Sequence, residues 1–277
     1  MSNKAVIIDG VRSPIGTKGS ALVGMRPDEI AGQVIKGLLD RNKELDINTI
    51  EDVSLGCAFP EGPTGMLVAR GAALLAGIPE TAAANVINRY CGSAMTSLHM
   101  ISAAIEAGDI EVGIAGGVED MFSIPQGGFA PDFNVQLAEE DYYISMGEGA
   151  ELLADKLNIS RKEQEEFCYN SHNRAVAAQE EGKFDNEIIP ITLENGTVFD
   201  KDSGPRVPNK EKIESLNPAF KADGTVTAAT SSPFSIGASA MLITSEAYAK
   251  EHGLKIRAYI EGRACLLYTS PSPRDRG

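Results

Sequence analysis

The chain has 277 residues, 43% hydrophobic and 23% charged, which is typical of a globular protein with one large domain or two ordinary ones. Its net charge of −14 argues against a nucleic acid or an anionic membrane surface as partner. The four widely spaced cysteines predict neither disulfides nor a zinc site, so we expect no bound metal. Because the sequence shows no secretory signal and no apolar run near ~18 residues, we expect a cytoplasmic protein without a membrane partner.

The first 120 residues alternate short apolar strands with helices. Strands are predicted at 5–8, 53–56, 82–87 and 112–115, and helices at 27–40, 70–76 and 92–107. This alternation predicts an α/β layered fold with a largely parallel sheet, in which the strand at 82–87 is buried. Gly113, Gly116 and Gly117 lack the G-x-G-x-x-G spacing of a dinucleotide loop, so we interpret them as places where backbones pass closely.

One cysteine follows directly after the strand predicted at 82–87. Cys91 lies where that strand gives way to the small residues that open the next helix. The unpaired amides and the macrodipole of a helix N-terminus stabilise an anion, so this position favours a thiolate and the oxyanion of a carbonyl under attack. The pattern therefore indicates acyl transfer through a thioester on Cys91, and the alternative is a buried core cysteine.

The helix that follows Cys91 is apolar on every side. Its only formal charge is Glu106, so the sequence predicts a helix covered by layers on both sides. His99 lies eight residues after Cys91, roughly 12 Å along the helix axis. We interpret His99 as structural, because this separation is too large for it to act as the base of Cys91.

The pattern changes between residues 121 and 231. Two charged amphipathic helices are predicted at 146–157 and 160–182, and Ser160 with Glu163 forms a capping box at the start of the second. The loop at 201–212 is locally basic and is the best candidate for phosphate contacts, with a solvated face as the alternative. Apolar strands are predicted again at 238–244 and 256–260, so the region from 121 to 231 is interpreted as an insertion.

The chain resembles the thiolase family from about residue 3 to 264. The matching stretches are Asn88 to Ser93, Gly116 to Met121, Ser171 to Ile189 and Pro218 to Gly237. The resemblance implies a thiolase-like layered α-β-α fold. The implied divisions are an N-terminal α/β domain (1–120 and 232–255), an inserted loop domain (121–231) and the start of a truncated C-terminal domain (256–264). The Ser- and Pro-rich stretch 265–277 is predicted to be a disordered tail that is foreign to the protein.

The resemblance implies a reaction and a set of site residues. Cys91 would accept the acyl group of a 3-ketoacyl-CoA, release acetyl-CoA and pass the acyl group to a second CoA. Ser232 and Phe220 fall where the family contacts the pantetheine arm, Met146 where it lines the acyl site, and Arg206 near a phosphate contact. Coenzyme A would be a co-substrate, with no bound cofactor, and the full-length protein would be a homodimer or homotetramer.

The sequence departs from the family pattern in one respect. Thiolases are longer and carry a Gly-His-Pro and a Cys-x-Gly motif, whose His activates the nucleophile and whose Cys moves a proton, and neither motif is present here. His99, His172 and His252 do not replace them, and His172 is interpreted as structural. We therefore expect a truncated chain that is nearly inactive and whose Cys91 helix has one bare side.

Three functions remain open. The Thr-Ser-Ser at 230–232 favours a degradative 3-ketoacyl-CoA thiolase, an acetyl-CoA C-acyltransferase, over a biosynthetic acetoacetyl-CoA thiolase. The third is a non-catalytic thiolase-like protein that binds acyl-CoA or serves as a scaffold. Cys91 argues against this last function, because a scaffold needs no cysteine at a helix N-terminus.

Overall fold

The structure is a computed structural model that describes residues 4–264, so the predicted tail at 265–277 lies outside the described residues. The strands are β1 Ala5–Arg12, β2 Gly16–Thr17, β3 Asp52–Gly56, β4 Ala83–Ile87, β5 Val112–Asp120, β6 Ile191–Thr192, β7 Val198–Phe199, β8 Ser235–Ser245 and β9 Ala258–Tyr259. The helices are α1 Pro27–Arg41, α2 Val68–Leu75, α3 Ser93–Ala107, α4 Val135–Glu139, α5 Met146–Leu157, α6 Arg161–Glu180, α7 Lys210–Glu214 and α8 Glu246–Glu251. The strands and helices predicted above are thereby confirmed, most of them with slightly different ends.

The main sheet has the order β4-β3-β5-β8-β1-β9, with β2 paired to β8. Only the β3–β4 and β3–β5 pairs are parallel, and β8 runs antiparallel to β5, β1 and β2. The prediction of a largely parallel sheet is therefore wrong. The sheet is mixed because the chain leaves it at the end of β5 and re-enters at the same end as β8. Asp120, the last residue of β5, therefore pairs with Ile236 near the start of β8, and the two strands run antiparallel.

Helices cover both faces of this sheet, which confirms the α/β layered fold. Because successive side chains of a strand point to opposite faces, Val112 and Ile114 of β5 contribute to the larger core under α1 and α2. Ala115 contributes to a smaller core with Ile101 and Ile105 of α3 on the other face. No helix among residues 4–264 is both long enough and apolar enough to span a bilayer.

The burial of β4 and of α3 differs from the prediction. β4 is an edge strand, and its side chains are half-buried or exposed. The prediction of a buried strand is therefore wrong, because an apolar run does not reveal whether a strand has one neighbour or two. α3 packs one face on the sheet, while Met95 and Met100 on its outer face are 58% and 43% exposed, so the expected bare side is confirmed and cover on both sides is not found.

The segment between β5 and β8 is held by local caps and one buried carboxylate. Ser145 and Ser160 each form a capping box, with Glu148 and Glu163 respectively, which confirms the predicted start of α6. Glu151 of α5 is buried and accepts the backbone N–H groups of residues 225 and 226 at 2.8–2.9 Å. These contacts fix α5 against the stretch that leads into β8.

Candidate active site

Cys91 lies at the end of the sheet where the parallel strands β3, β4 and β5 finish. After β4 the chain turns through a short 3-10 helix, Tyr90–Gly92, and continues directly into α3. The predicted position at a helix N-terminus is confirmed, and Cys91 is exposed. Tyr90 has a φ of 46°, in the left-handed region that large side chains rarely adopt, so this turn is a sharp one.

Side chains within the turn hold its backbone. The Ser93 hydroxyl accepts the Arg89 N–H at 2.7 Å and donates to the Tyr90 carbonyl oxygen at 2.6 Å. The Thr96 hydroxyl donates to the Gly92 carbonyl oxygen at 2.9 Å. The small hydroxyl residues after Cys91 therefore have a clear structural role: they cap the turn with their own hydrogen bonds.

Two glycines allow the first turn of α3 to lie directly on the sheet. A Cβ atom at Gly56, the last residue of β3, would lie 2.4 Å from the Ala94 nitrogen. A Cβ atom at Gly117 of β5 would lie 2.9 Å from the Ala94 Cβ. Gly116 approaches β8 even more closely, since its Cβ would lie 2.0 Å from the Ser239 carbonyl oxygen, so the predicted close backbone approach is confirmed.

The other two described cysteines lie in different surroundings from Cys91. Cys57 is buried, and burial together with the Glu119 carboxylate raises the pKa of its thiol to about 12. Cys168 is also buried, its Sγ lies 3.0 Å from the Ala229 carbonyl oxygen, and burial raises its pKa. Both therefore remain protonated thiols near neutral pH, whereas Cys91 is accessible to a substrate.

The predicted coenzyme-contacting residues lie on the segment between β5 and β8. Met146 is the first residue of α5 and is 79% exposed. The Phe220 ring packs on Gly147, where a Cβ atom would lie 2.2 Å from the ring, so Phe220 lies beside the first turn of α5. Ser232 is exposed in the turn before β8, which pairs with the end of β5 and so reaches the same end of the sheet as Cys91.

Arg206 lies beside α6. It is exposed in the loop before α7, and its charge acts on Cys168 and His172. Burial lowers the pKa of His172, and Arg206 lowers it further. The loop of Arg206, residues 201–212, carries four basic and two acidic side chains.

The structure also identifies site residues that the sequence did not. Asn88 accepts the Tyr90 N–H on its side-chain oxygen at 3.0 Å, and an asparagine two residues before a turn position is a recognisable signal for such a bond. Glu119 approaches from β5 and carried no local signal. Burial raises the pKa of the Glu119 carboxyl.

No histidine within residues 4–264 makes a hydrogen bond to Cys91. His99 lies on α3, as predicted, and the His252 ring stacks on Tyr248 with a centroid separation of 3.9 Å. The same residues contain no cluster of three His, Cys, Asp or Glu side chains suited to a metal ion.

Comparisons with known proteins agree with this geometry. The sequence profile described as "Thiolase, N-terminal domain" matches residues 5–247. A 3-ketoacyl-CoA thiolase of Photobacterium profundum is 44% identical over 272 residues, 95% of this chain and 70% of that protein. One of Vibrio cholerae is 42% identical over 271 residues, with the same coverage. The crystal structure of Bacillus anthracis acetyl-CoA acetyltransferase has a TM-score of 0.83 and 36% identity, covering 93% of this chain and 69% of that one. The chain therefore belongs to the thiolase family of acyltransferases.

Proposed function

We propose that Cys91 is the nucleophile of a degradative 3-ketoacyl-CoA thiolase, an acetyl-CoA C-acyltransferase that acts in fatty-acid β-oxidation. The observation that carries this proposal is the exposed sulfur of Cys91 in a sharp turn directly before the fifteen residues of α3. Relatives named 3-ketoacyl-CoA thiolase support the substrate class. The small-molecule partners would be a 3-ketoacyl-CoA and CoA, both as substrates, and no bound cofactor is proposed.

The proposed reaction has two displacements. The Cys91 thiol loses its proton and attacks the 3-keto carbon, the bond between carbons 2 and 3 breaks, and the departing carbanion takes up a proton to become acetyl-CoA. The acyl group is then a thioester on Cys91. The thiol of a second CoA loses its proton and attacks this thioester, and Cys91 leaves and is reprotonated. The N-terminal amides and the dipole of α3 would stabilise the thiolate and the oxyanion in both steps.

The coenzyme contacts of this proposal use the segment between β5 and β8. Phe220 and Ser232 would contact the pantetheine arm and Met146 the acyl chain. Their exposure supports this role, because apolar side chains such as Met146 at 79% exposure are available to a ligand. Arg206 would contact a phosphate, which its charge and its exposed loop support.

The proposal includes low turnover for a polypeptide of these 277 residues. No base among residues 4–264 is hydrogen bonded to Cys91, and the loss of one member of a nucleophile–base pair slows such reactions by several orders of magnitude. The proposal also includes assembly into a homodimer or homotetramer in the cytoplasm. The exposed edge of β4 and the bare face of α3 support assembly, since both are surfaces that proteins usually cover.

A second candidate is an acetoacetyl-CoA thiolase that acts in the biosynthetic direction. It is favoured by the structural similarity to a protein named acetyl-CoA acetyltransferase. The two candidates differ in the 3-ketoacyl chain lengths accepted. A comparison of acetoacetyl-CoA with longer 3-ketoacyl-CoA substrates therefore separates them.

The proposal is tested by acetyl transfer from acetyl-CoA to the protein, which is one displacement of the proposed cycle run in reverse. We expect one acetyl group per chain, located on Cys91 by peptide mass spectrometry, and no stable acetyl thioester in Cys91→Ala. Cys168→Ala is the matched control, because it removes a cysteine that is buried on α6. Acetylation of Cys57 or Cys168 instead of Cys91, or no acetylation of any cysteine, would contradict the proposal.

A further inference from the structure

A series of hydrogen bonds connects the Cys91 turn to a carboxylate on the sheet. The Glu119 oxygen Oε2 accepts the Ala58 N–H at 2.6 Å. The Ala58 carbonyl oxygen accepts the Asn88 Nδ2–H at 2.8 Å, and Asn88 Oδ1 accepts the Tyr90 N–H at 3.0 Å. We call this series the Glu119 relay. Its three hydrogen bonds join the ends of β5, β3 and β4, so the relay ties the turn to the sheet.

The relay ends on Tyr90, a residue with a strained backbone. Tyr90 has a φ of 46°, and such a conformation persists only when the surroundings hold it. Asn88 holds the N–H of Tyr90 and the Ser93 hydroxyl holds its carbonyl oxygen, so the peptide groups on both sides of Tyr90 are fixed. Because Cys91 follows immediately, these two peptide groups set the direction in which its side chain leaves the backbone.

The carboxylate at the other end is oriented from both sides. Oε1 of Glu119 lies 3.7 Å from the Cys57 Sγ, so the thiol donates to one oxygen while the Ala58 N–H donates to the other. Cys57 is suited to this donor role, since burial and the neighbouring carboxylate keep its thiol protonated. Glu119 is therefore a fixed acceptor, and its position fixes Ala58 and, through Ala58, Asn88.

We propose that Asn88 and Glu119 are positioning residues for acyl transfer: they hold the Tyr90–Cys91 backbone so that the Cys91 sulfur stays at the N-terminal end of α3. This inference rests on the proposed function of Cys91. It adds that the accuracy of the attack depends on two side chains that act through the backbone of the turn and not directly on the Cys91 sulfur. An attacking atom displaced by about 1 Å can slow a reaction roughly a hundredfold, so such positioning has a measurable effect.

The test compares two reactions of Cys91. Acetyl transfer from acetyl-CoA requires an oriented attack, whereas alkylation by iodoacetamide requires only an exposed thiol. For Asn88→Ala and Glu119→Ala we expect acetyl transfer to slow roughly tenfold or more, with alkylation within about twofold of the unmodified chain. Glu119→Gln keeps an oxygen that accepts the Ala58 N–H, so we expect it to retain near-normal acetyl transfer.

Asn85→Ala is the matched control. Asn85 lies on β4, the strand that leads into the turn. Its side-chain oxygen accepts the Ser54 hydroxyl at 2.7 Å, a hydrogen bond outside the relay. We expect this variant to lose thermal stability without any change in acetyl transfer. Asn88 is exposed, so its replacement by alanine should leave the fold intact, and melting temperatures of all variants verify this.

Three outcomes would overturn the inference. Unchanged acetyl transfer in Asn88→Ala and Glu119→Ala would remove the positioning role while leaving Cys91 as the nucleophile. Equal slowing of both reactions, shared by Asn85→Ala, would indicate general loosening of the fold instead of positioning. No acetyl transfer to Cys91 in the unmodified chain would overturn the proposed function, and the positioning role with it.

Discussion

At the scale of single residues, position separates Cys91 from the other two cysteines that the structure describes. Cys57 and Cys91 follow neighbouring parallel strands at the same end of the sheet, yet Cys57 is buried and Cys91 is exposed. Burial and the Glu119 carboxylate raise the pKa of Cys57 to about 12, so its thiol is protonated at pH 7. Proximity to Cys91 therefore does not make Cys57 a reactive thiol.

This difference predicts selective alkylation. In the folded chain at neutral pH, iodoacetamide should modify Cys91 and leave Cys57 and Cys168 unmodified, and all three should react once the chain is unfolded in denaturant. The sign follows from the raised pKa values: Cys57 becomes a thiolate only as the pH approaches about 12. Peptide mass spectrometry over time measures each rate. Equal rates for Cys57 and Cys91 in the folded chain would contradict this account of the site.

At the residue scale, the position of Cys91 was predictable from the sequence, whereas the hydrogen bonds that hold its turn were not. A cysteine followed by small residues after an apolar run is a local pattern, and it predicted the position of Cys91 correctly. The Glu119 relay joins three strands that are distant in sequence, so no local pattern could reveal it. Only Asn88 carried a signal of its own, as an asparagine at the start of a turn.

At the scale of elements, the contact between α3 and the sheet positions Cys91. Gly56 ends β3 where the first turn of α3 crosses it, and the space for a side chain there is already filled by the backbone of residues 93 and 94. The position of the turn is therefore set by a missing side chain on a neighbouring strand as much as by α3 itself. The strand and helix spans were predictable because hydrophobic periodicity is a local pattern. The contact of Gly56 with α3 was not predictable, because it joins residues that are distant in sequence.

A single methyl group on β3 should therefore disturb the site. In Gly56→Ala the new Cβ would lie 2.4 Å from the Ala94 nitrogen, so α3 must shift. We expect a loss of about 1–3 kcal/mol in the free energy of unfolding and slower acetyl transfer to Cys91. Chemical denaturation and the acetyl-transfer assay measure the two effects.

The control for this prediction is Gly149→Ala in α5. No atom lies within 4 Å of the Cβ position at Gly149, and alanine is the better helix former. We expect this variant to gain up to about 1 kcal/mol of stability with unchanged acetyl transfer. Gly56→Ala and Gly149→Ala of equal stability would show that the contact between β3 and α3 is not tight.

At the scale of the whole molecule, the position of β8 between β5 and β1 determines the topology of the sheet. The segment 121–234 leaves the sheet after β5 and re-enters beside it at β8, which produces antiparallel pairs in the middle of the sheet. Apolar runs report neither strand direction nor neighbours, so the sequence could predict an α/β layered fold but neither the mixed sheet nor the edge position of β4. The boundaries of the proposed domains stay predictions.

The outer face of α3 makes a final prediction about the molecule as a whole. Met95 and Met100 are 58% and 43% exposed on a helix whose other face packs on the sheet. A polypeptide of these 277 residues should therefore self-associate through apolar surface. Met95→Lys combined with Met100→Lys should reduce this association without loss of stability, because neither side chain is buried. Sedimentation velocity over a range of concentrations measures the effect, and Met146→Lys is the control, since Met146 is exposed on α5 instead of α3. If the control reduced association as much as the double variant, the apolar surface responsible would lie elsewhere than on α3.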